Sequence, residues 1–174
     1  LAVTENIFTH SGIQQGAEVH NVVRFTSNGT TVRQREGTTS TMVVTPGAGG
    51  ALAVDANLTP SFAGNAAVTM WRRQLTFGNR QLRVRDTFSK GAGVEAIFQV
   101  NTPVRPVVNG RVARAGDLVI TVVTPADATL SVVDWRAIDA SEYNSGFRLD
   151  VRGSGSAFVV DFGGNDAVIS AGFE

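Results

Sequence analysis

The chain of 174 residues is 43% apolar and 17% charged, with 19 glycines and 10 phenylalanines, so it reads as one globular, turn-rich domain over residues 1–174. No run approaches the roughly 18 consecutive apolar residues of a membrane-spanning helix, and the lack of cysteine excludes disulfides, thiolate nucleophiles and cysteine zinc sites. The formal charge is zero but uneven: Trp71 to Arg114 holds nine basic residues against two acids, Asp86 and Glu95, and Ala115 to Glu174 holds three arginines against nine acids.

Leu1–Thr9 shows no basic start followed by an apolar stretch, so no signal peptide is expected, and Leu1 in place of methionine reads as processing or excision. Short β-branched runs closed by Gly and Asn then dominate. Asn21–Thr26, Val32–Gln34 and Thr41–Thr45 are expected strands, with Asn28-Gly29 a hairpin turn. Pro46 to Gly50 is a loop before a strand at Ala51–Ala56. Ala67–Phe77 and Gln81–Phe88 flank Gly78-Asn79 as a second tight hairpin. Alternation in Gln81–Phe88 puts Leu82 and Val84 on one face and Arg83 and Arg85 on the other.

Further strands are expected at Val94–Asn101, Val104–Val108, Arg111–Ala113, Leu118–Val123, Thr129–Trp135, Phe147–Arg152 and Ala157–Phe162, and Gly153 to Ser156 is a turn. Ala137–Ser145 is the best candidate for a helical turn, since Asp139 or Ser141 can cap it. About a dozen strands spaced near ten residues predict an all-β fold, an antiparallel β-sandwich.

The inventory for chemistry is thin: two histidines, His10 and His20, one tyrosine, Tyr143, and no cysteine. There is no Gly-x-Ser-x-Gly elbow, and Gly47-Ala48-Gly49-Gly50 lacks both the Lys-Ser/Thr ending and the following helix of a phosphate loop. The chain by itself is not expected to be a complete enzyme. The basic residues are 14 arginines and Lys90. They suit planar recognition of carboxylate or sulfate, although source composition produces the same bias. The basic middle either steers an anionic ligand or is neutralised across neighbouring strands. Nucleic acid is not an expected partner, because Trp71 and Phe77 read as core residues and not as stacking platforms. His20 opens a strand where an imidazole at a sheet edge can reach a metal. A lone histidine is more often structural, and zinc requires further ligands.

Taken together, His20-Asn21-Val22-Val23, the later Asn28-Gly29, Trp71-Arg72-Arg73-Gln74-Leu75-Thr76-Phe77 and Leu82-Arg83-Val84-Arg85-Asp86-Thr87-Phe88 resemble the C-terminal β-sandwich region of heparinase II/III-like polysaccharide lyases, over Glu18 to Phe162. The resemblance implies a downstream part of a larger, periplasmic or extracellular protein. An upstream helical toroid, or a companion chain, would hold an acidic, uronate-containing polysaccharide against the sandwich for cleavage by β-elimination. The family's catalytic tyrosine and histidines lie in the toroid and in a His-x-His loop, neither of which is matched here, so no catalytic residue is assigned to this chain and it is expected to be inactive alone. His20 corresponds to a histidine that ligates structural zinc, with the remaining ligands supplied from outside this chain. Arg83 and Arg85 are the expected contacts to the acidic polymer. A non-catalytic carbohydrate-binding or assembly module is the alternative, and Trp71, Trp135 and Phe147 discriminate: rings in a solvent-facing row favour the module, buried rings the lyase scaffold.

Overall fold

The computed structural model describes residues 17–141 and 143–164. Among them are thirteen strands: β1 (Val23–Ser27), β2 (Thr30–Thr31), β3 (Thr41–Pro46), β4 (Leu52–Asn57), β5 (Val68–Gly78), β6 (Gln81–Lys90), β7 (Val94–Thr102), β8 (Val107–Asn109), β9 (Val112–Ala115), β10 (Leu118–Thr124), β11 (Thr129–Asp134), β12 (Phe147–Arg152) and β13 (Ala157–Gly164). They form two antiparallel sheets, a five-stranded one ordered β11-β12-β7-β1-β2 and an eight-stranded one ordered β3-β4-β5-β6-β13-β10-β9-β8. No helix among the described residues is long and apolar enough to cross a membrane.

The sheets pack because each strand alternates. In β6, Val84 and Phe88 point into the core while Arg85 is exposed on the other face. Phe25 of β1 is the centre of the packing: its ring meets Phe62, Trp71 and Phe88 edge-on at centroid distances of 5.5, 5.8 and 5.5 Å. Phe98 of β7 reaches across to Phe158 of β13 at 5.9 Å, so aromatic contacts from both sheets close the core. A register shift between Val68 and Met70 resets the alternation of β5 and lets both Val68 and Trp71 face inward.

The expected hairpins hold. Asn28 and Gly29 have φ of 50° and 78° between β1 and β2, and Asn79 and Arg80 have φ of 49° and 61° between β5 and β6, the left-handed backbone a two-residue turn with the strands' own twist requires. The second turn thus sits at Asn79-Arg80, one residue past the expected pair. One local expectation is corrected and another is refined. Val32–Gln34 is not a strand: pairing with β1 stops at Thr31, and Val32 makes one further backbone bond, its N–H to Phe25 O at 2.8 Å. A 3-10 turn that was not expected lies at Trp135–Ala137, where Asp134 caps it by accepting from the Arg136 N–H, and within Ala137–Ser145 the backbone closes a single turn, from the Tyr143 N–H to Asp139 O at 3.0 Å. Asp139 serves a turn, accepting from the N–H and Oγ of Ser141.

Candidate functional site

The outer face of the eight-stranded sheet carries Arg83 and Arg85, as alternation requires. Registers across β3, β4, β5, β6 and β13 set two rows on that face: Thr45, Ala53, Thr76, Arg83 and Asp161 in one, and Val43, Asp55, Gln74, Arg85 and Val159 in the next. Arg83 faces Asp161 with a two-pronged ion pair, Nε to Oδ1 and Nη2 to Oδ2 both at 2.7 Å. That carboxylate makes the guanidinium hold its proton more tightly than usual, against the opposing effect of its partial burial. Asp55 accepts from Nε of Arg72 at 2.6 Å, from Arg72 Nη2 and from Nε2 of Gln74 at 3.1 Å. The hydrogen bonds from Arg72 hold its carboxyl below the ordinary range, and Gln74 adds to the effect.

These pairs divide the two sequence-identified arginines. Arg83 is half-buried and occupied by Asp161, whereas Arg85 is exposed and forms no ion pair among the described residues. Between them the sheet is hollowed into an open groove of about 310 Å³, whose walls include Thr45, Asp55, Gln74, Thr76, Arg83 and Arg85. A second hollow of about 340 Å³ shares Thr76 and Arg83 and continues toward the β5–β6 turn.

His20 lies apart from this groove. It follows a 3-10 turn at Ala17–Val19, its N–H donating to Ala17 O at 3.3 Å and its carbonyl accepting from Nε2 of Gln99 at 3.1 Å. Among the described residues no group of three or more His, Cys, Asp or Glu side chains converges, so these residues do not compose a zinc site around His20. His10 lies outside the described residues.

The discriminating rings are inside or half-inside. Trp71 is 2% and Trp135 7% exposed. Trp71 Nε1 donates to Oδ1 of Asp86 at 2.7 Å and Trp135 Nε1 to Oδ1 of Asn101 at 3.0 Å. Phe147 is half-buried with the Arg105 guanidinium 5.5 Å from its centroid. These three rings make no solvent-facing row. Tyr143 packs edge-on to Trp135 at 5.2 Å.

Sequence reasoning missed a polar cluster on the outer face of the five-stranded sheet. Arg24, Gln99, Asn101, Arg148 and Asp150 alternate outward from β1, β7 and β12, yet all are buried. Residues 17–21 lie over them: Gln99 Nε2 donates to Ala17 O at 2.6 Å, Arg148 Nη1 to Glu18 O at 2.9 Å, and the Asn101 N–H to Oδ1 of Asn21 at 2.7 Å. Asp150 accepts from Arg148 Nε at 2.5 Å and Nη2 at 3.0 Å, with Arg24 and Arg152 each at 3.4 Å. Burial lowers the Arg24 pKa, and repulsion from Arg148 adds to the effect against the pull of Asp150. The only sequence signal was an unbroken alternation, which marks a polar face without showing that chain covers it.

The buried carboxylates of Asp86 and Asp150 thus act as counter-ions. Asp86 binds Trp71 and Arg73, and Asp150 binds three guanidiniums, so neither is a base open to a substrate. The groove can hold an anion and hydroxyl groups through Arg85, Gln74 and the threonines, which is recognition chemistry. Comparison with family models finds no match, and comparison with curated proteins finds none either.

Proposed function

We propose that this chain is the β-sandwich portion of a polysaccharide lyase acting on acidic, uronate-containing polysaccharide, supporting the substrate while the catalytic groups come from an upstream helical part or companion chain. The observation that carries this reading is the burial of both indoles on Asp86 and Asn101, which makes Trp71 and Trp135 framework and not a stacking surface. The resembling stretches and the uncompensated Arg85 agree with it.

In β-elimination a base removes the proton at C5 of the uronate, the electron pair forms the C4–C5 double bond, the C4–oxygen bond breaks, and an acid protonates the departing oxygen. This chain's part is to hold the sugar's carboxylate while that transfer occurs. Zinc belongs to this reading only with ligands from outside the chain beside His20.

The test is the ultraviolet absorbance of the unsaturated uronate product on alginate, heparan and hyaluronan. The 174-residue chain alone is expected to release none, and the native protein that includes the helical part is expected to release it. Turnover by this chain alone, or none by the native protein on any uronate polymer, overturns the proposal.

A further inference from the structure

The geometry points to the groove on the outer face of β3 to β6 as a binding site for a carboxylated oligosaccharide lying across the strands, with Arg85 as the contact to the sugar's carboxylate and Arg83 as a positioning residue. This deepens the reading above and rests on it for the class of polymer. The groove and the contact follow from the charges and registers.

Five charged side chains line or border the groove, and four cancel in pairs: Arg72 with Asp55 and Arg83 with Asp161. Arg85 is left as one net positive charge at the groove, which complements a single carboxylate per bound residue. A guanidinium offers two parallel N–H groups to a carboxylate, and an exposed arginine keeps that fork available. The Arg83–Asp161 pair sets one wall beside it, since both prongs at 2.7 Å fix the guanidinium plane.

The other walls suit a sugar. Thr45 and Thr76 present hydroxyls that donate and accept, and Gln74, whose Nε2 is held by Asp55 at 3.1 Å, leaves its amide oxygen to accept from a hydroxyl. Ala53, between Thr45 and Thr76 in the row, keeps the floor low. Across β3 to β6 the groove covers three interstrand spacings of about 4.8 Å, roughly 14 Å, so a short oligosaccharide lying across the strands meets several of these groups at once. The neighbouring hollow that shares Thr76 and Arg83 extends the path toward the β5–β6 turn.

The experiment is calorimetric titration of the 174-residue chain with a size-defined oligogalacturonate, a neutral maltooligosaccharide of equal length, and sodium sulfate. Amide shifts on the labelled protein locate the contact. Oligogalacturonate is expected to bind with shifts at Gln74, Thr76 and Arg85. Arg85→Gln should weaken it about tenfold without changing thermal stability, Gln74→Ala less, and neither the neutral sugar nor sulfate should match it. Arg35→Gln removes the same charge at another exposed position and should leave affinity unchanged.

Equal weakening by Arg35→Gln and Arg85→Gln, an unchanged Arg85→Gln, shifts mapped elsewhere, or equal binding of the neutral sugar or of sulfate each overturn the groove assignment. Failure of the two readings separates: elimination by the native protein with no oligouronate binding here sinks the groove alone, and groove binding without elimination by the native protein sinks the lyase reading alone.

Discussion

Trp71 and Asp86 are diagonal neighbours across the β5–β6 pairing, and the indole Nε1 donates to Oδ1 of the carboxylate at 2.7 Å in the space between the two sheets. Asp86 is fully buried, and Arg73 closes the other side of it with Nε to Oδ1 at 2.9 Å and Nη2 to Oδ2 at 2.8 Å. A third arginine nitrogen, Nη1, donates to Asn21 O at 2.8 Å and so fastens the segment before β1 to the opposite sheet. Asp86 therefore orients Arg73, and it is Arg73 that ties the two layers together by a hydrogen bond beside the apolar packing.

Asp86→Ala is expected to destabilise the fold by about 3–5 kcal/mol, because it leaves the largely buried Arg73 without its counter-charge and the Trp71 N–H without an acceptor. Replacing both partners, Arg73→Met with Asp86→Leu, should restore most of that loss. Urea unfolding followed by tryptophan fluorescence measures both, and a cost under about 1 kcal/mol for Asp86→Ala would contradict the account.

Asp150→Ala removes the one carboxylate that Arg24, Arg148 and Arg152 share. The remaining guanidiniums then repel one another under residues 17–21, and the expected loss is again about 3–5 kcal/mol. Added salt should recover part of it, since screening acts on like charges but weakly at buried sites. A variant whose stability is unchanged, or falls further with salt, refutes the cluster's role.

The pH behaviour of Asp134 follows from its cap. Its carboxyl is lowered from 3.8 to about 2, chiefly by the side-chain hydrogen bonds of Arg136 and then by the Arg136 N–H. A depressed carboxyl stabilises the fold above its unfolded value and loses that contribution as pH falls through the folded one, so the effect disappears between about 3.8 and about 2. Carboxyl NMR should show Asp134 titrating near 2, and Arg136→Gln should move its midpoint upward. A midpoint unmoved by Arg136→Gln would show that the guanidinium is not the cause.

Gly146 has φ +127°, and a Cβ there would lie 2.5 Å from Cε3 of Trp135. Gly146→Ala must therefore displace a buried indole whose backbone N–H donates to Gly146 O at 3.0 Å. A cost of at least about 2 kcal/mol is expected, read as a lower urea midpoint with an altered tryptophan emission. Wild-type stability in this variant would show that the ring is not confined by the glycine.

Strand alternation and hairpin dipeptides made most of this fold legible. Phe147–Arg152 is a strand with the expected bounds, and Leu82, Val84, Arg83 and Arg85 divide between the faces as read. What escaped were features set by partners distant in sequence. Val32–Gln34 has β-branched character but no strand opposite it beyond Thr31. The turn capped by Asp134 was missed for a local reason: its carboxylate is fixed by Arg136 two residues on, a contact that the strand pattern of Thr129–Trp135 does not signal. At the candidate site, the periodicity of β6 placed both arginines outward but could not separate them, since Arg83 finds Asp161 78 residues later. The same pairing, with Arg24 to Asp150 and Arg152 to Glu95, neutralises part of the uneven charge across neighbouring strands, leaving Arg85 outside it.

The order of strands also governs how the chain assembles in time. β3 to β6 pair in chain order, β5 with β6 across a tight turn and β4 with β5 across residues 58–67. β1 waits for β7, where Val23 meets Phe98, and β7 in turn waits for β12, where Gln99 meets Asp150. Closing such long loops costs entropy before contacts repay it, and sheets of this kind fold in roughly milliseconds to seconds. The meander therefore gathers first, with the inward faces of Trp71, Val84 and Phe88 bare until Phe25 and Phe98 arrive. A nascent chain halted before β7 would lack Phe98 and leave β1 without its partner strand, so that apolar face would stay uncovered while aggregation competes with completion of the fold.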